Sequence, residues 1–291
     1  MRGTASACAS ATIVNAMATG MGAAFGIDLR VRAQVRLRRD GKIIGKIMGS
    51  RESPKLLEIC VRKTLKEFGE EGLGADIQTT ADIPIAVGLS SSSAAANAAV
   101  LATIAALGKK PNFKNVLKIA VDSAFAAGVT LTGALDDAAA SLYGGAVVTD
   151  NSRMRILKRF KVDSRMGIAV HVPPSRLYTR SLRTTDFTPI KEGVEMAHTM
   201  AKKGRIWDAL TLNGFLYSAI FGHDPRPALT AFLEGAIAAG ITGKGPATVA
   251  VADLSVIPKI VERWRKMDGK IILTKPAVKG GEWSYHEKSH Y

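Results

Sequence analysis

A chain of 291 residues, 47% of them hydrophobic, can bury the core of one large domain or two ordinary ones, which excludes a disordered protein. Its formal charge of +15 lies in separate basic clusters without interleaved aromatic residues, which favours attraction of small anions over nucleic-acid binding. The two cysteines, Cys8 and Cys60, form no CxxC or Cys/His cluster, which argues against a disulfide framework or a metal ribbon and indicates the reducing cytoplasm.

Two uncharged stretches are long enough to raise the question of a membrane segment or a signal peptide. Residues 3–27 are interrupted by Asn15 and glycines, and residues 83–108 contain four consecutive serines. Neither has the continuous apolar centre that membrane insertion needs. Both are predicted to be buried or ligand-facing backbone, and no membrane partner is expected.

The first part of the chain predicts an antiparallel sheet covered by a helix. Residues 23–39 alternate between apolar and polar side chains, which is the period of a strand with one buried face. Asp40-Gly41 is a hairpin turn signal, so residues 42–48 are predicted to return as the neighbouring antiparallel strand. An amphipathic helix and a further strand are predicted next, over residues 53–69 and 75–83.

The loop and helix start that follow, residues 84–97, are typical of an anion site. Pro84 and Gly88 suit an irregular loop, and the run from Ser90 to Ser93 opens an alanine-rich helix that reaches Leu107. The free backbone N–H groups and the positive dipole at such a helix start bind phosphate, and serine hydroxyls can ligate the Mg²⁺ that accompanies nucleotides. A serine-rich linker before a core helix remains the alternative.

Strands and helices continue to alternate to the end of the chain, without a repeated Gly-rich turn, which favours an α+β fold over a doubly wound one. The polar stretch after Asp150 is the candidate boundary between domains 1–150 and 151–291. Strands are predicted over residues 146–149, 155–160, 167–172, 247–252 and 270–273. Helices are predicted over residues 113–126, 133–142, 189–222 with a break near Gly204, 227–239 and 257–267.

Two further segments carry chemistry. Asp136 and Asp137 open a helix among small apolar residues, where a poorly solvated carboxylate could act as a base or the pair could neutralise a phosphate-bound metal. Ordinary first-turn helix charge is the alternative. The glycines around Lys244 permit close approach to an anion, or form an ordinary tight turn. A P-loop and a Gly-x-Ser-x-Gly elbow are both absent, and the histidines show no ligand spacing.

Taken together, these three segments resemble the GHMP kinases, the superfamily of galactokinase, homoserine kinase and mevalonate kinase. The family motif Pro-x₃-Gly-Leu-x-Ser-Ser-Ala is found at residues 84–94 with one additional serine. Asp137 lies seven residues before Gly144, as the aspartate does before Gly-Gly in the mevalonate kinase pattern. Within the superfamily the chain resembles archaeal-type shikimate kinases, on Ala-Thr-Ile-Val-Asn-Ala and two longer matches at residues 11–16, 22–29 and 128–138.

This resemblance implies an N-terminal domain similar to domain 2 of ribosomal protein S5 and a ferredoxin-like C-terminal domain, with ATP held between them. It implies phosphorylation of shikimate to shikimate 3-phosphate in aromatic amino-acid biosynthesis, with Asp137 as the base and Asp136 beside it. It implies Mg²⁺ held by one serine of the run, Ser92 or its neighbours Ser91 and Ser93. Asp136 could be the second ligand, because the metal-binding Glu of several superfamily members is missing here. The implied ATP-binding residues are Pro84, Gly88, Leu89, Ser90, Ser91, Ser92, Ser93, Ala94, Gly243, Lys244 and Gly245.

The carboxylate of shikimate calls for a bidentate arginine. The candidates that follow Pro173-Pro174 lie around Tyr178, and they are Arg176, Arg180 and Arg183, although exposed arginines are more often solvated charges. Thr12 and Asn15 are the candidates to meet the hydroxyl groups. Two alternatives stay open: a GHMP kinase for another acceptor such as homoserine, mevalonate or a sugar, and a catalytically silent nucleic-acid-binding module.

Overall fold

A computed structural model describes residues 1–83, 88–174 and 184–286 of the chain. Its regular elements form two sheets, each covered by helices. No helix among these residues is long and apolar enough to cross a membrane.

The first sheet is built around two long neighbouring strands, β1 and β2. Small side chains dominate β1, and β2 is long enough to serve two partners: residues 31–38 pair with β4, and residues 21–25 pair with β5. The strand order is β11-β1-β2-β4-β3, with β6 paired to β5. The strands are β1 Arg2–Val14, β2 Met21–Arg38, β3 Ile43–Ile47, β4 Gly74–Ala81, β5 Ala146–Asp150, β6 Arg155–Phe160 and β11 Glu282–His286.

Helices packed against this sheet enclose the first core. The most buried of them is the alanine-rich helix over Ser91–Ala106, in which side chains are buried on all sides. Small residues permit this depth, since a Cβ atom at Gly3 of β1 would collide with the backbone of this helix at Ala102. The helices are α1 Lys55–Glu67, α2 Ser91–Ala106, α3 Phe113–Ala127 and α4 Leu135–Tyr143.

The second sheet is antiparallel, with the strand order β10-β7-β9-β8. This βαββαβ arrangement, with additional helices in the first crossover, is the ferredoxin-like pattern and confirms the predicted fold class. Its strands are β7 Met166–Val172, β8 Ala238–Ile241, β9 Thr248–Asp253 and β10 Lys270–Thr274. Its helices are α5 Lys191–Lys202, α6 Ile206–Phe221, α7 Arg226–Leu233 and α8 Ile257–Trp264.

The two sheets share a core. Ile13 and Phe25 of the first sheet belong to the same buried cluster as Val249 of the second, together with Val194 of α5 and Tyr217 of α6. Helices α5 and α6 therefore fill the space between the sheets, and the ends of β1 and β2 lie against them.

Two predictions about strands were wrong, and the strands β1 and β11 were not predicted. The segment after Asp40-Gly41 turns as expected but forms β3, which pairs in parallel with β4, because β2 is already flanked by β1 and β4 over residues 31–36. The helix predicted over residues 227–239 ends at Leu233, after which Ala238–Ile241 forms β8. The last strand, Glu282–His286, was not predicted and pairs with β1.

Strand β6 extends the first sheet by pairing with β5, although a new unit was expected to begin after Asp150. The change from one sheet to the other falls between Phe160 and Met166, and β11 then returns to the first sheet. The division into domains 1–150 and 151–291 stays a prediction.

Candidate active site

The serine run forms the start of α2, as predicted. Ser90 is the N-cap, in the left-handed region with φ 52°, and Ser91–Ser93 form the first helical turn. Leu89, Ser93 and Ala94 are buried, while Ser90, Ser91 and Ser92 are partly exposed. The free N–H groups of this turn and the helix dipole make it suitable for a phosphate group.

Gly88 brings the loop before α2 into contact with the glycine-rich turn of the second sheet. Its φ is +89°, and a Cβ atom there would collide with the carbonyl oxygen of Thr242. The Thr242 hydroxyl donates a 3.0 Å hydrogen bond to the Gly88 carbonyl oxygen. Only glycine combines this backbone conformation with such a close approach.

The carboxylate pair opens α4, whose N-cap, Ala134, is also left-handed with φ 50°. The two side chains have different surroundings, since Asp136 is 3% exposed and Asp137 is partly exposed. The Ser10 hydroxyl donates a 3.0 Å hydrogen bond to Asp137 Oδ1, and Ser90 also hydrogen-bonds this side chain. Asp137 therefore lies between the end of β1 and the start of α2.

The pKa of Asp137 is raised to about 7, mainly by burial and also by the neighbouring charge of Asp136, against the opposing hydrogen bonds from Ser90 and Ser10. Burial also raises the pKa of Asp136, against a hydrogen bond from Asn151. The two carboxyl groups titrate as a coupled pair. A carboxyl group with a pKa near neutrality is suited to accept a proton at physiological pH.

Asp136 is fixed from two sides. Asn151 Nδ2 donates a 2.8 Å hydrogen bond to Asp136 Oδ1, and Asn151 Oδ1 in turn accepts one of 2.7 Å from the Thr149 hydroxyl. On the β2 side, a Cβ atom at Gly22 would lie 2.7 Å from Asp136 Cγ. A residue larger than glycine at position 22 would displace the carboxylate.

The glycine-rich turn joins β8 to β9 and is tied to β1 by reciprocal hydrogen bonds. The Thr12 backbone N–H donates to the Thr242 hydroxyl at 2.9 Å, and the Gly243 N–H donates to the Thr12 hydroxyl at 2.9 Å. Asn15 Nδ2 donates to the Gly243 carbonyl oxygen at 2.7 Å, while Asn15 Oδ1 accepts from the Met17 N–H at 2.9 Å. The side chains of Thr12 and Asn15 thus connect the glycine-rich turn to the first sheet.

Lys244 lies at the tip of this turn, and its carbonyl oxygen is 2.9 Å from His223 Nε2. Burial lowers the pKa of the Lys244 amine to about 8. The amine is therefore mostly protonated at neutral pH and can attract an anion.

All three segments meet at one cleft of about 120 Å³. Asp136 and Asp137 line it together with Ser90, Ser91 and Lys244. Ser92, the predicted metal ligand, is not among the described residues that line this cleft. The remaining lining residues are Thr12, Asn15, Ala16, Met17, Gly88, Val129, Thr130, Leu131, Thr132, Ala134 and Gly243.

Some predicted site residues lie outside the described ranges. These are Pro84 of the serine loop and the substrate candidates Arg176, Tyr178, Arg180 and Arg183.

Several residues that contact the site were not predicted from the sequence: Ser10, Asn151, Asn213 and Tyr217. Three of them, Ser10, Asn151 and Asn213, are polar residues in mostly apolar segments, and they are almost fully buried. A buried polar side chain needs a partner, which was the available signal. The partner itself could not be inferred, because Ser10 and Asp137 are separated by 127 residues.

Comparison with known proteins matches residues 55–145 to the model of the GHMP kinases N terminal domain. A shikimate kinase of Methanothermobacter thermautotrophicus is 38% identical over 91% of this chain and 92% of its own length. A shikimate kinase of Thermococcus kodakarensis is 41% identical over 93% of this chain and 98% of its own length.

Among solved structures, homoserine kinase from Cytophaga hutchinsonii superposes with a TM-score of 0.80 at 18% identity, covering 97% of each chain. At this level of identity the likeness shows the fold alone.

Proposed function

This chain belongs to the GHMP kinases and, within them, to the family of the archaeal shikimate kinases, and on that premise we propose that it transfers the γ-phosphoryl group of ATP to a ring hydroxyl of shikimate. The product is shikimate 3-phosphate. The cytoplasm is the proposed location of the protein, in keeping with its two free cysteines, Cys8 and Cys60.

The observation that carries the proposal is the meeting of Asp137 with the start of α2 at one cleft. Ser90 hydrogen-bonds Asp137 and is also the N-cap of the helix whose first turn would receive the phosphates. An acceptor hydroxyl beside Asp137 would therefore be close to the γ-phosphoryl group. Proximity of this kind is a large part of phosphoryl-transfer catalysis.

In the proposed reaction, Asp137 accepts or orients the proton of the attacking hydroxyl group. The hydroxyl oxygen forms a bond to the γ-phosphorus as the bond to the β–γ bridging oxygen breaks, and ADP leaves. The pKa of Asp137, about 7, leaves much of the carboxyl group ionised at neutral pH and able to take the proton. The N–H groups of α2 and the Lys244 amine stabilise the negative charge of the phosphates.

Mg²⁺ is the proposed metal. Asp136 and Ser91 line the same cleft and offer the carboxylate and hydroxyl oxygens that Mg²⁺ prefers, so the residues present fit it. The hydrogen bond that Asp136 Oδ1 accepts from Asn151 would hold this carboxylate in place for the metal. Ser92, in the same helical turn, stays a candidate alongside Ser91. When bound, the metal would neutralise charge on the phosphates.

Fewer contacts support the proposed binding of shikimate. Thr12 and Asn15 line the cleft, but their side-chain oxygens accept hydrogen bonds from Gly243 and Met17, so each would offer shikimate only its remaining hydrogen-bonding capacity. The proposed partners of the substrate carboxylate remain Arg176, Arg180 and Arg183.

The test is a panel of acceptors with labelled ATP and Mg²⁺, containing shikimate, homoserine, mevalonate and a sugar. Label is expected on shikimate alone. Label on mevalonate or homoserine instead would overturn the choice of acceptor and keep the kinase. Salt-sensitive RNA binding without ATP turnover would overturn the kinase itself and favour a nucleic-acid-binding module.

A further inference from the structure

Helix α6, which packs on the second sheet, forms hydrogen bonds with the turn that follows β1. Asn213 Oδ1 accepts a 2.9 Å hydrogen bond from the Asn15 N–H. One turn later, the Tyr217 hydroxyl donates to the Asn15 carbonyl oxygen at 3.1 Å and accepts from the Ala18 N–H at 3.0 Å. Asn213 is 1% exposed and Tyr217 is 0% exposed, so water cannot replace these contacts.

The position of α6 is set by two glycines. A Cβ atom at Gly214 would lie 2.5 Å from the Cα atom of Gly240 in β8, so the helix backbone packs directly on the strand. The Tyr217 ring is held separately, with ring centroids 5.9 Å from Phe187 and 5.5 Å from Phe221. The Tyr217 ring therefore has a fixed position, which the aromatic contacts would preserve if the hydroxyl oxygen were removed.

The turn that α6 holds is part of the cleft. Asn15, Ala16 and Met17 line it together with Asp137. The part of the cleft next to the start of α2, where the phosphates are proposed to bind, is held by other hydrogen bonds. The Thr242 hydroxyl joins β1 to Gly88 there without involving α6. Displacement of residues 15–18 should therefore change the acceptor-binding part of the cleft more than the nucleotide-binding part, whose contact with this segment is the hydrogen bond from Asn15 Nδ2 to the Gly243 carbonyl oxygen.

We propose that Tyr217 and Asn213 are positioning residues that hold residues 15–18 as a wall of the acceptor site. This inference rests on the proposed function, because the acceptor is taken to be shikimate. Neither residue contacts the reacting atoms. Their role is to fix backbone atoms that the acceptor meets.

The first experiment compares Tyr217→Phe with the wild type in steady-state kinetics. The variant keeps the ring and loses both hydrogen bonds, so we expect KM for shikimate to rise about tenfold, the equivalent of one or two buried hydrogen bonds. We expect KM for ATP and kcat to change by less than about threefold. Tyr285→Phe is the matched control, because Tyr285 is 41% exposed on β11, and it should match the wild type.

Unchanged KM for shikimate in a folded Tyr217→Phe variant would overturn the proposal, as would an equal rise in both KM values. A second pair of variants applies if that protein does not fold. Asn213→Leu removes the acceptor oxygen for Asn15 N–H, whereas Asn213→Asp keeps one, so calorimetry should show weaker shikimate binding for the leucine variant. Equal binding by the two would contradict the inference.

The two proposals fail differently. If the wild type phosphorylates another acceptor and not shikimate, the proposed function is wrong. The same Tyr217→Phe comparison with that acceptor then tests the positioning role, and an unchanged KM would overturn it.

Discussion

Asn151 Nδ2 lies 2.8 Å from Asp136 Oδ1 and is the buried donor that fixes one carboxylate of the pair. Asn151 is 5% exposed and follows β5 directly, whereas Asp136 lies in the first turn of α4. A hydrogen bond to a buried carboxylate is worth about 1.5–3 kcal/mol. This contact therefore links the geometry of the carboxylate pair to the end of a core strand.

Asn151→Leu should lower the free energy of unfolding by about 2 kcal/mol, because Asp136 loses its buried donor. Urea denaturation at pH 7 measures the change. Asn115→Leu is the matched control, since Asn115 is exposed on α3 and makes only a 3.4 Å contact with Glu67. Equal stability of the two variants would show that the hydrogen bond to Asp136 contributes nothing measurable.

Asp137→Asn should reduce kcat by about 10²–10⁴-fold while leaving ATP binding largely intact, because the variant cannot accept the proton of the hydroxyl. In the wild type, kcat/KM should rise with pH and level off above about 7, as the carboxyl group ionises. Turnover and the pH profile are measured with shikimate. If kcat/KM of the variant still fell at low pH, the pH dependence would belong to the ionisation of another group.

Asp137→Asn should increase the stability of the folded protein, although it lowers kcat. The pKa of Asp137 is raised from 3.8 to about 7 on folding, so between these values the folded state binds more protons than the unfolded state and stability falls as pH rises. Asp137→Asn removes this effect. The variant should be more stable than the wild type by up to about 4 kcal/mol at pH 8, and by far less near pH 4.

Thermal unfolding of both proteins at several pH values measures this difference. Asp163→Asn is the control, since the pKa of Asp163 is lowered to about 2 by a hydrogen bond from Arg165 at the surface. That variant should gain no stability at pH 8. A pH-independent difference between Asp137→Asn and the wild type would contradict the raised pKa.

Lys244→Met should weaken ATP binding about tenfold or more at pH 7, because a partly buried cation at the cleft is lost. In the wild type, ATP affinity should fall as pH rises through about 8, where the amine of free protein loses its proton. The variant should lack this dependence. Calorimetric titration at pH 7 and pH 9 measures both effects, with Lys259→Met, an exposed lysine on α8, as the control.

Gly22→Ala should place a methyl group 2.7 Å from Asp136 Cγ, so the carboxylate must move. We expect a loss of about 1–3 kcal/mol of stability together with a large fall in kcat. Gly72→Ala introduces the same methyl group where no atom lies within 4 Å, and it should match the wild type in both measurements. Normal turnover by Gly22→Ala would show that catalysis does not depend on the position of Asp136.

Much of the local structure could be predicted from the sequence. The alternation of residues 23–39 marked β2, and the serine run marked the start of α2, because periodicity and capping are properties of neighbouring residues. The order of the three motifs also gave the fold class. The partner of β3 was predicted wrongly, because strand pairing depends on which sheet edges remain available after β1, β2 and β4 have paired.

The sequence by itself determined which residue types reach the site: the serines of α2, the aspartates of α4 and the glycine-rich turn. Only the tertiary structure decided their contacts. Ser10 meets Asp137 across 127 residues, and Thr12 meets Thr242 across 230. The physical reason is that a polar side chain in an apolar segment reveals its need for a partner, whereas the partner is chosen by the packing of β1 against α4 and the second sheet.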